Sequence, residues 1–189
     1  MKGLKDKTEQ IINAAVKVFI KKGLQATTQE IAREADVAEV TLFRKFATKQ
    51  NLFVTVIKNA LEKQFDSHLF KLAEEKDTEE FLVKIIENRL EILSKNSALI
   101  KMLVSESLMG NLPDEVNLPN MIFSSIEKGL SRHFQATGKT ADTELLARQL
   151  SGIFLSQVVF PAEQPYHQLE EKVKHQQARQ YARAVLSLM

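Results

Sequence analysis

Residues 27–53, TTQEIAREADVAEVTLFRKFATKQNLF, set two short apolar-periodic segments on either side of a three-residue break and then run into a third. This stretch constrains the fold more than any other. Helices of about eight residues are not stable alone and must be held by neighbours. A core by itself needs neither so abrupt a turn nor Thr, Arg and Lys crowded onto the second segment.

The rest of the chain reads as helix as well. Strand-like alternation is absent, and several of the four prolines and six glycines sit at breaks. A first helix is expected from about Lys7 to Lys22, with Asp6 and Glu9 at capping-box spacing and Gly23 as its stop. A second starts at Thr27, with Glu30 as the reciprocal cap, and ends near Ala35. The third occupies Glu39 to Phe46, and the fourth runs from Thr48 to about Leu72. Further helices follow at Thr78–Ser94 behind Asp77, Ser97–Met109 before Gly110, Pro119–Gly138, Ala141–Phe160 and His167–Leu188. GNLPDEVNLP and PAEQP are loops. The expectation is therefore all-α: three short helices in residues 1–50 form a helix-turn-helix head. A long fourth helix joins it to a helical body in residues 51–189.

Several function classes are disfavoured. The chain has no cysteine, so neither disulfides nor thiolates operate. The charged start MKGLKDKTEQII lacks the apolar core of a signal peptide, and no run reaches the roughly 18 apolar residues of a membrane span. A cytoplasmic protein without a membrane partner is expected. The four histidines are His68, His133, His167 and His175. The residues three before them are Phe65, Leu130, Gln164 and Lys172, so none completes the Glu-x-x-His of di-metal bundles. His167, Glu171 and His175 share four-residue spacing, which favours a solvated helix face over a metal site. No catalytic residue, metal site or cofactor is expected, and the protein is read as not an enzyme.

Charge points elsewhere. Residues 1–50 carry ten Lys/Arg against six Asp/Glu, whereas residues 51–189 carry sixteen against eighteen. A basic head is compatible with a polyanion partner. In a helix-turn-helix the second helix lies in the major groove of double-stranded DNA with its N-terminal side chains at base edges. The groove is about 12 Å wide, and eight residues at a 1.5 Å rise span about that distance. Ile31, Val37, Leu42 and Phe46 are the residues to pin the pair inward. Glu39, Val40, Thr41, Phe43, Arg44 and Lys45 are left for the outer faces.

The order Gly23, Thr27, Ile31–Ala32, Ala35–Asp36–Val37, Thr41–Leu42–Phe43, Phe46, Lys49 and Leu52 resembles the DNA-binding domain of tetracycline-repressor-type (TetR family) regulators, over roughly residues 8–55 without a gap. Three positions depart from the family pattern. Asp36 stands where Gly is usual, because the turn can require positive φ, which Asp tolerates better than most residues. Ala38 replaces a small hydroxyl residue, removing a cap. Phe43 replaces Tyr, removing a hydroxyl that commonly meets a phosphate. The resemblance puts Thr27, Thr28, Ala38, Glu39, Val40, Thr41, Phe43, Arg44, Lys45 and Lys49 at DNA. Glu39 is read as serving the helix N-terminus rather than a cytosine amino group.

In the body, Phe65, His68, Leu69, Asn88, Met102, Glu106, Phe123, Ile126, Phe154 and Gln157 are candidates to converge on a cavity. The resemblance implies a pocket for an unidentified small-molecule effector that releases the DNA. The helix at 141–160 has too many apolar residues for one buried stripe, and Ser151, Gly152 and Ser156 permit close approach. With Leu169, Val173, Ala182, Val185 and Leu186 of the last helix it suits a two-fold homodimer interface. The expected function is a dimeric transcriptional repressor on an inverted-repeat operator. The competing reading is a helical interaction or lipid-binding protein without a DNA role.

Overall fold

The computed structural model describes residues 7–61, 72, 74–160 and 162–187. Among them are nine α-helices, two short 3-10 turns and no strand. They are α1 Lys7–Lys22, α2 Thr28–Glu34, α3 Glu39–Phe46, α4 Lys49–Leu61, α5 Thr78–Lys95, α6 Ser97–Leu108, α7 Leu118–Thr137, α8 Thr143–Val159 and α9 Glu171–Leu186. The expected cap Asp6, the second half of the expected fourth helix, and the pocket candidates Phe65, His68 and Leu69 lie outside the described residues.

The chain divides into two compact units. The first contains α1–α4 and residues 98–117, which carry most of α6. Here α1 packs on α2 and α4, α2 packs on α3, and α3 packs on α4. Ile11, Phe19, Ile31, Leu42, Leu52, Phe53, Val56 and Ile57 are all buried. Phe19 and Phe53 meet edge to face, with ring centroids 5.0 Å apart. Each such side chain contributes roughly 1.5–3 kcal/mol when fully buried. Shared burial is what makes helices as short as α2 and α3 stable.

The second unit contains α5, α7, α8 and α9. Helix α5 is its centre, packed by α9 and α8, while α7 packs on α8. Phe81, Leu82, Ile85, Ile86, Ile126, Leu130, Leu150 and Phe154 form the core. His133 is fully buried, lies flat on Phe81 with centroids 3.9 Å apart, and its Nε2 sits 3.1 Å from Thr78 Oγ1. Lys139 Nζ donates to the same hydroxyl at 2.8 Å.

Two helix starts differ from the sequence reading by more than one residue. Helix α8 begins at Thr143, because the Asp142 side chain accepts from Leu145 N and stops the helix extending back to Ala141. Helix α9 begins at Glu171, not at His167. His167 belongs to the 3-10 turn Tyr166–Gln168, where its Nδ1 and its backbone N–H both meet Ser94 Oγ. The four-residue spacing of His167, Glu171 and His175 therefore does not place them on one helix. His175 pairs instead with Glu87 at 2.8 Å.

Candidate nucleic-acid interface

Helix α2 is framed by its own first residues. Thr27 Oγ1 accepts from Glu30 N at 3.2 Å, and Thr27 N donates to Glu30 Oε2 at 3.0 Å, a complete capping box. Such a cap contributes about 1 kcal/mol. Lys22 pairs with Glu30 and, by that hydrogen bond first, holds its carboxyl below the usual carboxylate range. The helix ends in a left-handed residue, Asp36 at φ 50°, with Val37 N donating back to Ala32 O at 3.0 Å. The conformation for which the turn commonly uses glycine is thus adopted by aspartate.

Helix α3 has no equivalent cap. Ala38 occupies the N-cap position and makes no side-chain hydrogen bond. The Thr28 hydroxyl, at the first position of α2, donates to a Glu39 carboxylate oxygen at the first position of α3. The two helix starts are thereby tied to each other, and the Glu39 side chain sits at the positive end of α3. At its far end α3 stops at Ala47, with φ 61° and ψ −46°, and Thr48 N closes a tight turn onto Phe46 O at 2.7 Å. A non-glycine residue held there stores on the order of 1–3 kcal/mol of strain, and α4 leaves at once from Lys49.

The faces of α3 follow from its period. Leu42 and Phe46 are buried. At 3.6 residues per turn, Val40 and Arg44 lie about 160° from Leu42 and about 40° from each other. Val40 is 71% exposed and Phe43 44% exposed. Arg44 is exposed and has no ion pair or hydrogen bond among the described residues. Thr41 is half-buried and Lys45 exposed. Val40, Phe43, Arg44 and Lys45 are thus all on the surface, with Val40 and Arg44 pointing most directly outward.

The turn between α1 and α2 is clamped by charge. Lys49 Nζ donates to Leu24 O at 2.8 Å and to Ala26 O at 3.0 Å. The buried Glu106 of α6 accepts from Leu24 N at 3.1 Å, and Asn111 Nδ2 donates to its other oxygen at 2.9 Å. Gly23, at φ 57°, opens the turn, and a Cβ there would strike the Glu106 carboxylate. Lys49, expected at a phosphate, thus commits two of its three N–H donors to backbone carbonyls. Glu106, expected at an effector pocket, braces the head. Nothing in the local sequence marks either role, because both partners are backbone atoms distant in sequence.

The other expected pocket residues are dispersed. Asn88 lines a groove of about 500 Å³ between α5 and α9, together with Lys84, Glu91, Tyr166 and Lys174. Gln157 lines a separate cavity of about 110 Å³ and donates to Tyr181 Oη at 3.0 Å. Ile126 and Phe154 are core, Met102 is half-buried, and Phe123 lies under the Arg148 guanidinium at 5.3 Å. In the groove, burial pushes the Glu91 carboxyl up, but hydrogen bonds from Lys95 and Lys174 outweigh it and leave it below the usual range. Lys174 is raised by its hydrogen bond to Glu171 and a further one to Glu91, and burial raises the Tyr166 phenol.

Residues 11–56 match the model of the bacterial regulatory proteins of the tetR family. The uncharacterized HTH-type transcriptional regulator YvkB of Bacillus subtilis is 49% identical over 45 residues, 23% of this chain, and the match spans 24% of that relative's length. Solved structures share the fold over nearly the whole chain. The proposed fatty acid metabolism regulator of Clostridium perfringens is 25% identical over 92% of this chain and 96% of its own, with a TM-score of 0.69. The TetR family transcriptional regulator PfmR of Thermus thermophilus shares the fold at a TM-score of 0.67 and 20% identity, over 94% of this chain and 97% of that one. The fatty acid degradation regulator FadR of Bacillus halodurans does so at 0.68 and 19%, over 98% and 97%. The capped α2, the left-handed turn at Asp36 and the outward face of α3 all lie inside the segment, residues 11–56, that matches the tetR family of bacterial regulatory proteins.

Proposed function

We propose that the protein is a dimeric transcriptional repressor that binds an inverted-repeat DNA operator through α3 and is released by a small-molecule effector. The observation that carries the DNA reading is the outward pair Val40 and Arg44 on a helix long enough to cross the major groove, opposite the buried Leu42 and Phe46. Thr27, Thr28, Ala38, Glu39, Thr41, Phe43 and Lys45 frame the contact, and the third N–H of Lys49 remains for a phosphate.

Dimerisation is assigned to α8 and α9. Leu145, Leu155 and Val159 are exposed along the same α8 surface as Gly152, where a Cβ would meet nothing, and Val173 of α9 is exposed as well. A two-fold dimer demands a two-fold operator. The domain roles keep to residues 1–50 for DNA and 51–189 for dimerisation and effector. The protein works in the cytoplasm, where the operator is.

The effector acts only through a difference in affinity between the DNA-bound and DNA-free forms. A tenfold release requires about 1.4 kcal/mol of such difference. Two structurally similar proteins are named for fatty acid metabolism or degradation, which makes fatty acyl compounds the first to screen. The test is to find compounds that raise the melting temperature and measure operator affinity with and without them. Stabilising compounds that leave operator affinity unchanged would overturn the effector reading.

A further inference from the structure

We infer that Val40 determines operator specificity by placing its side chain against the C5 methyl group of a thymine in each half-site. This rests on the DNA-binding reading of α3 and names the base chemistry that α3 recognises. Val40 is the second residue of α3, in the N-terminal turn that approaches base edges in this class of motif. Its neighbours at that tip carry little readout. Ala38 has only a methyl group and makes no side-chain hydrogen bond, and a Glu39 carboxylate oxygen is engaged by the Thr28 hydroxyl. Val40 is 71% exposed and has no role in the core. Phe43, 44% exposed, adds a second apolar group three residues on.

The major-groove edges of the bases settle what such a side chain can recognise. Guanine offers two acceptors, adenine an acceptor and a donor, and cytosine an amino donor. Against each of these, valine would cover a polar atom without pairing it. Only thymine presents an apolar group, its C5 methyl. An apolar tip followed one helical turn later by the guanidinium of Arg44, which has no partner among the described residues, therefore selects a thymine at one position and leaves Arg44 for an acceptor nearby.

The test uses the full-length protein. Operator sequences are enriched from a random duplex pool, and each thymine is then replaced singly by deoxyuridine, which removes the C5 methyl and leaves the hydrogen-bonding edge intact. At one symmetry-related position per half-site, affinity should fall about fourfold, the equivalent of ~0.8 kcal/mol for one buried methyl-sized group. The same replacement should change little in Val40→Ala, whose melting temperature should match the parent because the side chain is exposed. At that position 5-methylcytosine·guanine should bind the parent better than cytosine·guanine, and the two should be equal for Val40→Ala. Deoxyuridine tolerated at every position, or costing both proteins the same, overturns the inference. A pool that yields no enriched sequence overturns the DNA-binding reading and the inference with it.

Discussion

The outer faces of α3 and α8 both expose large apolar side chains, yet their surroundings differ. On α3, Val40 and Phe43 stand among Arg44 and Lys45. On α8, Leu145, Leu155 and Val159 stand among Gly152 and Ser156, with a Glu144–Arg148 pair at one end. Exposed apolar atoms are common on any protein and say little singly. Their company is informative. Cations beside apolar groups suit a polyanion with methyl groups in its groove. Small residues beside apolar groups suit a second helix at close range. The same hydrophobic exposure thus points to two different macromolecules.

The comparison breaks most visibly at α8. Leu155→Glu should abolish dimerisation at micromolar concentration, read as a monomeric mass, and reduce operator affinity by a factor of a hundred or more (about 3 kcal/mol). The monomer's helical content should survive, because Leu155 is not core. A dimer of unchanged mass would remove α8 from the interface.

Next in size is the brace at the turn between α1 and α2. Gly23→Ala forces a left-handed residue and drives a Cβ into the Glu106 carboxylate, so denaturant unfolding should show a loss of about 2 kcal/mol. Arg44→Ala should cost about 1–3 kcal/mol of operator binding if Arg44 meets a base, with an altered base preference and no change in dimer mass. Ala47→Gly should raise stability by about 1 kcal/mol, because glycine accepts the positive φ of 61° without strain. If its melting temperature falls instead, the strain is not there.

The smallest effect concerns pH. The Glu30, Glu75 and Glu91 carboxyls are all lowered from 4.5. Their stabilisation is therefore complete above that value and is lost as pH falls through their lower folded-state values. Lys84, raised by its hydrogen bond to Glu75, and Lys174 are raised from 10.5. Theirs is complete below that value and is lost only as pH rises beyond it. These five groups should add no slope across neutral pH, and melting temperature should fall as pH drops below 4.5; no fall there would contradict the glutamate pairings.

Much of the fold is written locally. The bounds of α1 and α3 follow from apolar period and flanking residues, and Gly110 and Gly138 stop α6 and α7 with positive φ, as their positions imply. The start of α9 is not local. His167 has helical spacing to Glu171, but Ser94, distant in sequence, captures its backbone N–H and ring and holds Tyr166–Gln168 in a separate turn. Phe53 is legible from the period, since it stands three residues before Val56 and four before Ile57 on the same buried stripe, but its edge-to-face meeting with Phe19 is not. Within the candidate site, which residues α3 turns outward was legible from its period. The grip of Lys49 on Leu24 and Ala26, and of Glu106 on Leu24, was not, since a charged side chain next to a backbone atom leaves no pattern in sequence.

The central claim is that the outward face of α3 is where DNA binds. The most direct measurement is duplex DNA binding across a salt series by the full-length protein and by the double variant Val40→Glu, Arg44→Glu, with melting temperature and dimer mass recorded on the same samples. Both positions are exposed, so the variant should fold and dimerise as the parent does. The parent's affinity should fall linearly with salt on logarithmic axes, and the variant, with two carboxylates facing the phosphates, should show no binding even at the lowest salt. A correctly folded variant that binds DNA as tightly as the parent would contradict the account.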